Sequence, residues 1–312
     1  MNQCSLVTVV GSTGAQGGAV VRSLSKMGKF KIRCLTRYPT SEKARKLQSL
    51  SDNIEIFQCN IRNKDDLLHA FQNSWAIFAM TDFWATPTQP EIEIEQGKLM
   101  ADIAAKSNIK YFIFSCAINV NKLSDGKLNV PQFSDKAIVR EYISQTYPEM
   151  KTIYVMPSFY LQNWTGSYPL PIKKLKDGTV EFSLPMSLCG KLHNVDIDDL
   201  GLIVSHLLQN PENFIGQEIC VCGEEVEFEE FVRIFTRVTG RQAQAKTMTE
   251  HEFRQWAQHL PENVQNYLLD MFKWMEVNGC YIPEINWRNG HVLTKLNTFE
   301  TWLIKSGWMG PD

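Results

Sequence analysis

Three glycines that follow an apolar run near the start of the chain constrain the fold more than any other feature. The run is Leu6–Val10, and Gly11, Gly14 and Gly17 come after it, ahead of an amphipathic stretch. This order predicts a strand, a tight turn and the N-terminus of a helix, where backbone N–H groups can bind a pyrophosphate. The candidate cofactor-binding residues of the turn are Gly11, Thr13, Gly14, Ala15, Gln16 and Gly17. A glycine-rich turn without a ligand is the alternative.

Strand-like and helix-like segments alternate through the first half of the chain. Strands are predicted near residues 5–10, 31–36, 54–58, 75–80, 110–116 and 152–156. Helices are predicted between them, near 16–28, 41–50, 63–72, 91–107 and 133–147. Strands that alternate with helices through short loops predict an α/β fold, here a doubly wound parallel-sheet Rossmann fold.

The regular alternation ends after Pro157. We expect residues 1–156 to form a cofactor-binding Rossmann domain and 157–312 to form a smaller C-terminal α/β lobe for a substrate or partner. The boundary is approximate, and the chain can cross back to the sheet. Further helices are predicted to open at Asp196–Gly201 and to lie near 227–238, 249–258 and 261–277.

The composition excludes several classes of function. A net charge of −2 over 312 residues gives no sign of a nucleic-acid or anionic-membrane partner. No apolar stretch approaches the roughly 18 residues of a membrane span, and no secretory leader is recognisable. We therefore expect a cytoplasmic protein, with access to the nucleus and formation of a homodimer left open.

Cysteines, histidines and clustered aspartates give no metal-site pattern. The 8 cysteines form no CxxC pair, which favours reduced and mostly buried thiols. His193 is expected to be a surface residue near a substrate entrance. Asp196, Asp198 and Asp199 are expected to lie at a helix N-terminus, where aspartate interacts favourably with the helix dipole. No metal ligand is assigned.

Arg37 indicates which dinucleotide is bound. In Rossmann folds, an acidic residue about twenty positions after the glycine turn binds the ribose 2′-OH of NAD, whereas an arginine there pairs with the 2′-phosphate of NADP. No Asp or Glu occurs from Arg33 to Ser41, and the second strand ends just before Arg37. The sequence therefore predicts NADP(H), with Thr36, Ser41 and Lys43 as additional phosphate contacts.

Further candidate cofactor contacts follow the later strands. Ligands bind at the carboxyl edge of such sheets, so residues just beyond each strand are candidates. The set comprises Asn60 after the third strand, Thr81 and Phe83 after the fourth, Lys136 on a later helix, and Pro157 and Phe159 after the sixth. For the segment Thr81–Trp84, a packed loop is an equally weighted alternative.

The catalytic constellation of a short-chain dehydrogenase is incomplete. Those enzymes place a tyrosine four residues before a lysine, but here Gln132 precedes Lys136, and glutamine is not a useful proton donor. Ser115 ends the fifth strand, where the dehydrogenase serine is expected. Three alternatives follow: Lys136 only binds cofactor, Lys136 is the general acid or base, or Tyr160 supplies the proton.

Taken together, these motifs resemble the NmrA-like family of atypical short-chain dehydrogenases over most of the chain. The resemblance is carried by segments 11–18, 35–37, 81–84, 96–99, 133–142 and 195–201. It implies a Rossmann domain with a small lobe and binding of NADPH or NADP+. Some members act as redox or dinucleotide sensors for regulatory protein partners, and others reduce a small-molecule substrate. The absence of the tyrosine is compatible with both groups, so turnover stays open.

Overall fold

The computed structural model describes residues 4–166 and 170–312. These residues form two compact units, neither of which is one continuous segment. Of the described residues, the first, the sheet unit, contains 4–119, 133–156 and 197–219. The second unit contains residues 120–132, 157–166, 170–196 and 220–312.

Strands and helices alternate as predicted through the first 157 residues. The strands are β1 (Leu6–Val9), β2 (Lys31–Thr36), β3 (Ile54–Gln58), β4 (Ala76–Ala79), β5 (Tyr111–Ser115) and β6 (Thr152–Pro157). The helices are α1 (Ala15–Met27), α2 (Glu42–Gln48), α3 (Lys64–Phe71), α4 (Glu91–Lys106), the short α5 (Val120–Leu123) and α6 (Pro131–Thr146). Each predicted strand and helix of this part is present within a few residues.

The remaining elements complete both units. The strands are β7 (Phe159–Tyr160), β8 (Ile172–Lys174), β9 (Val180–Leu184), β10 (Lys191–Val195), β11 (Glu218–Val221), β12 (Glu224–Glu227) and β13 (Ala243–Thr247). The helices are α7 (Ile197–Leu207), α8 (Phe228–Thr239), α9 (Glu250–Trp256), α10 (Glu262–Asn278) and α11 (Phe299–Ser306). The second unit contains two three-stranded sheets, in the orders β12-β10-β7 and β13-β9-β8.

The main sheet has seven strands in the order β11-β6-β5-β4-β1-β2-β3. From β3 to β6, every neighbouring pair is parallel. The chain reverses its direction across the sheet between β1 and β4, where a doubly wound fold leaves a crevice at the carboxyl edge. The predicted α/β Rossmann architecture is confirmed.

Burial explains why the central strands lie where they do. Every residue of β4 and β5 is buried, as expected for parallel strands covered on both faces by helices. On α1, Val20, Val21 and Leu24 are fully buried, whereas the end of the helix at Lys26 is exposed. This amphipathic pattern holds α1 on the sheet, directly after the glycine turn.

Helix α7 packs against α1 although almost 180 residues separate them along the chain. The close approach depends on Gly201, because a Cβ there would lie 2.2 Å from the Ala19 carbonyl oxygen. The hydroxyl of Ser205 donates to that of Ser23 at 2.8 Å. The chain thus passes through part of the second unit and then returns to the sheet unit, where α7 covers α1.

The core of the second unit is rich in aromatic residues. Phe228, Phe231 and Phe235 on α8 are fully buried, as their helical spacing predicts. Phe231 stacks on Phe299 with 3.7 Å between ring centroids, which anchors α11. Among the helices of residues 4–166 and 170–312, none is long and apolar enough to cross a bilayer.

Candidate functional site

The glycine turn between β1 and α1 is shaped by contacts that exclude side chains. Gly11 has φ +66, a conformation that glycine adopts without strain. A Cβ at Gly17 would lie 2.3 Å from the Gly11 carbonyl oxygen, well inside contact distance. A Cβ at Gly14 would lie 3.2 Å from the same oxygen. The tightest requirement for glycine is therefore at position 17, where the first turn of α1 crosses the loop.

The turn leaves the N-terminus of α1 open to solvent. Gly14 is the N-cap and offers no side chain to the first N–H groups, and no acidic residue lies in the first turn. Gly14 and Ala15 are exposed, Thr13 is half-buried and Gln16 is buried. Exposed N–H groups at the positive end of a 13-residue helix suit a diphosphate. The glycine turn and the N-terminus of α1 therefore fit the expected dinucleotide, and Cβ atoms added at the glycines would fill the space.

The turn is also tied to the second strand. Ser12, fully buried, donates its hydroxyl hydrogen to the Leu35 carbonyl oxygen at 2.8 Å. Arg37 follows two residues later and is exposed, with its guanidinium 5.7 Å from the Tyr38 ring centroid. No carboxylate of the described chain lies within salt-bridge distance of Arg37. An exposed arginine at this strand end can pair with a phosphate.

Asn60 lies beyond β3 and has a local role. Its side-chain oxygen accepts from the Arg62 N–H at 3.1 Å, and its own N–H donates to Asp66 at 2.8 Å. These bonds shape the loop, while the residue stays exposed at the carboxyl edge. A contact of Asn60 with cofactor remains a prediction.

Thr81, Glu93 and Lys136 converge from three parts of the sheet unit. Thr81 follows β4 and donates its hydroxyl hydrogen to Glu93 Oε1 at 2.6 Å. The ammonium group of Lys136 on α6 donates to the same oxygen. Both Thr81 and Glu93 are 1% exposed, and the Lys136 side chain is 13% exposed. The lysine is thus held by a buried carboxylate at the carboxyl edge of the sheet.

Asp135 adds a second buried carboxyl group to this cluster. Burial and, after it, the nearby Glu93 carboxylate raise its pKa to about 7 against the opposing effect of the Lys136 ammonium. Sequence reasoning missed both Glu93 and Asp135. Glu93 lies in the first turn of α4, where acidic residues usually face water, and no motif distinguished Asp135 on α6.

Ser115 and Gln132 are the residues predicted to stand at the positions of the dehydrogenase serine and tyrosine. Ser115 is fully buried, and its hydroxyl has no hydrogen-bond partner within the described part of the chain. The Gln132 amide nitrogen donates to the Tyr267 carbonyl oxygen at 3.2 Å, inside the second unit. Gln132 is therefore a structural contact of that unit, one helical turn before Lys136.

The other predicted contacts lie after β4, at Phe83, and at or just beyond the end of β6. Phe83 is buried in the short 3-10 turn after β4, with its ring edge-on to Trp84 at 5.2 Å. Pro157, Phe159 and Tyr160 are half-buried residues of the second unit. Their contact with a cofactor, and the role of Tyr160 as proton donor, stay predictions.

His193 is buried, so its expected surface position was wrong. It is 2% exposed, its Nδ1 accepts from the Cys280 N–H at 2.9 Å, and its Nε2 lies 3.1 Å from Glu225. Burial lowers its pKa to about 4, although the Glu225 carboxylate opposes that change. Tyr281 packs edge-on against the ring. Sequence alone gave no sign of these partners, which come from β12 and from the segment just after α10.

The cysteines are free thiols, as expected, and most are buried. The buried ones are Cys34, Cys59, Cys116, Cys220, Cys222 and Cys280. Burial raises the pKa of Cys34, Cys59, Cys220 and Cys280 to about 12, which makes these thiols poor nucleophiles at neutral pH. The described residues contain no group of three or more His, Cys, Asp or Glu side chains that could hold a metal ion.

Comparisons with known proteins agree with one another. A profile of the NmrA-like family matches residues 3–303. An NmrA-like family domain-containing protein of Dictyostelium discoideum is 30% identical over 96% of this chain and 97% of its own length. The NmrA-like family domain-containing oxidoreductase FrzB of Cladobotryum is 30% identical over 76% of this chain and 74% of its own length.

Among solved structures, the fold is similar to that of NmrA, a negative transcriptional regulator crystallised in complex with NADP. The TM-score is 0.81, and the match covers 96% of this chain and 94% of NmrA. Sequence identity is 20%, so the likeness concerns the fold.

Proposed function

Because this chain belongs to the NmrA-like family, we propose that it binds NADP(H) at the glycine turn and acts as a dinucleotide sensor or regulator. The observation that carries the proposal is the cluster around Lys136. The lysine is held by buried Glu93, and the residue one turn earlier is Gln132 instead of a tyrosine. A complete cofactor cradle beside an incomplete proton-transfer constellation supports binding without efficient turnover.

In the proposed binding mode, the glycine turn, Arg37, Thr81 and Lys136 hold the cofactor. The N–H at the open N-terminus of α1, at Ala15, binds the pyrophosphate, whereas the Gly14 N–H donates to the Gly11 carbonyl oxygen at 2.9 Å and closes the turn. Arg37 pairs with the 2′-phosphate, which favours NADP(H) over NAD(H). Lys136 and Thr81 bind the ribose and nicotinamide side at the carboxyl edge. When bound, NADPH supplies a hydride and NADP+ accepts one.

The proposed signal is read by a protein partner. Cofactor occupancy sets the conformation of the second unit and thereby controls the affinity for a regulatory protein. The NmrA structure, that of a negative transcriptional regulator with NADP, supports this reading. Eight free cysteines support a reducing compartment such as the cytoplasm. Homodimer formation remains a prediction for analytical ultracentrifugation.

A second candidate function is NADPH-dependent reduction of a small carbonyl, imine or enone. The buried and unpartnered Ser115 hydroxyl favours it, as does the relative named an oxidoreductase. In this case Lys136, with Tyr160 as the alternative, gives the proton that follows hydride transfer to the substrate. Ser115 would bind the oxygen or nitrogen that becomes protonated.

Binding and turnover assays separate the two functions. NADPH, NADP+ and NADH are titrated by calorimetry, and NADPH consumption is then screened against carbonyl, imine and enone substrates. If the protein is a sensor, we expect tight NADP(H) binding and no turnover above background. Robust turnover that Lys136→Met abolishes and Lys106→Met retains would favour the reductase. Lys106 is an exposed lysine at the far end of α4, so it controls for loss of charge. Tighter binding of NADH than NADPH would contradict the role of Arg37.

A further inference from the structure

Two buried carboxyl groups, of which one pairs with Lys136 and the other only feels its charge, lie at the candidate nicotinamide end of the site. Glu93 accepts hydrogen bonds at Oε1 from Thr81 and Lys136, while its Oε2 has no hydrogen-bond partner among residues 4–166 and 170–312. Asp135 is 5% exposed, and its Oδ2 also lacks a partner in the same described ranges. Buried carboxylate oxygens without partners are costly, so such a pair favours holding a proton.

The net charge of the cluster formed by Glu93, Asp135 and Lys136 depends on whether Asp135 is protonated. The charged groups that face Asp135 are Glu93 and Glu91 from α4 and Lys136 from its own helix; Glu91 is exposed. With Asp135 protonated, Lys136 and Glu93 cancel. With Asp135 ionised, the buried part of the cluster carries one net negative charge. Because burial and the Glu93 carboxylate bring the pKa of Asp135 to about 7, both states are accessible at neutral pH.

The nicotinamide ring differs by one charge between the two redox states of the cofactor. The ring is positive in NADP+ and uncharged in NADPH. On the proposed binding mode, Thr81 and Lys136 bring the ring to the edge where Glu93 and Asp135 are buried. A unit charge several ångströms away in a partly buried site changes the ionisation equilibrium of a carboxyl by about fivefold to thirtyfold.

We propose that Glu93 and Asp135 couple the redox state of the bound cofactor to one proton: Asp135 is protonated beside NADPH and ionised beside NADP+. The inference rests on the proposed binding function and adds that the ionisation of Asp135 depends on the redox state of the cofactor. Asp135 acts through charge on the cofactor ring and takes no part in hydride transfer. By linkage, a rise in pH through neutrality shifts relative affinity toward NADP+.

The direct measurement is the number of protons exchanged on binding. Each cofactor is titrated into the full-length protein near pH 7 by calorimetry, in two buffers of different ionisation enthalpy, which yields the proton uptake. NADP+ is expected to bind with proton release relative to NADPH, because only the NADP+ ring carries the positive charge that favours ionised Asp135. The cofactor 2′-phosphate contributes equally to both titrations, so the difference, at most about one proton, isolates the cluster.

Two variants test the assignment. In Asp135→Asn, an isosteric change, the difference in proton number should vanish, and the affinity ratio should no longer depend on pH. Glu95→Gln removes an exposed carboxylate from the same helix α4 and should preserve the difference. Equal proton numbers for both cofactors in the wild-type protein would overturn the inference while leaving NADP(H) binding intact. If neither cofactor binds, the proposed function itself is wrong. Circular dichroism melts show whether each variant is folded.

Discussion

Lys136 on α6 and Glu93 on α4 form a buried ion pair although 43 residues separate them in sequence. Lys136→Met should leave Glu93 buried without its cation and destabilise the protein by about 3–5 kcal/mol. The double variant Lys136→Met with Glu93→Gln should recover much of that loss, because no buried charge then remains unpaired. Urea unfolding of the two single variants, Lys136→Met and Glu93→Gln, and of the double variant measures the coupling. Additive losses would show that the two side chains do not stabilise each other.

Arg37 should account for much of the preference for NADPH. Arg37→Glu should weaken NADPH binding by about tenfold to hundredfold, since a charge-assisted phosphate contact contributes about 1.5–3 kcal/mol. NADH binding should change far less. Lys26→Glu makes the same change in charge at the exposed end of α1 remote from the turn, and should bind NADPH normally. Equal losses in both variants would indicate a general electrostatic effect in place of a phosphate contact.

The glycine turn should discriminate between two similar substitutions. In Gly17→Ala, the added Cβ would meet the Gly11 carbonyl at 2.3 Å, so the turn must open and NADPH binding should be lost. In Gly14→Ala, the corresponding distance is 3.2 Å, so a shift of a few tenths of an ångström suffices and binding should fall only modestly. Calorimetric titration gives the affinities, and thermal melting separates a distorted turn from an unfolded chain. A Gly14→Ala protein weaker than Gly17→Ala would contradict this geometry.

His193 should make the protein less stable in mild acid. Its pKa is about 4 in the folded protein and near 6.5 when exposed, so between these values the unfolded chain binds more protons. The free energy of unfolding should therefore fall as pH drops from 6.5 to 4, by at most about 3 kcal/mol from this residue. His193→Asn keeps an acceptor for the Cys280 N–H and should flatten the slope. Urea unfolding at several pH values tests this, and an unchanged slope would assign the acid sensitivity to other groups.

The sequence was most informative where chemistry is local. The glycine turn, the strand before it and the helical spacing on α8 each follow from neighbouring residues, so the turn, α1 and the buried Phe231 face were predictable. The acidic partners of Lys136 were not, because nothing local to Glu93 or Asp135 indicates which helix will face them. His193 was misplaced for the same reason, since its partner Cys280 lies 87 residues downstream.

The packing of α7 on α1 has a consequence for synthesis on the ribosome. Gly201 and Ser205 cover the helix that begins at the glycine turn, so the sheet unit is not encoded by one uninterrupted stretch. The nascent chain must expose one face of α1 until residues near 207 have emerged, long after the first six strands have been made. A fragment that stops at residue 156 would keep the glycine turn but leave that face of α1 bare and prone to aggregation.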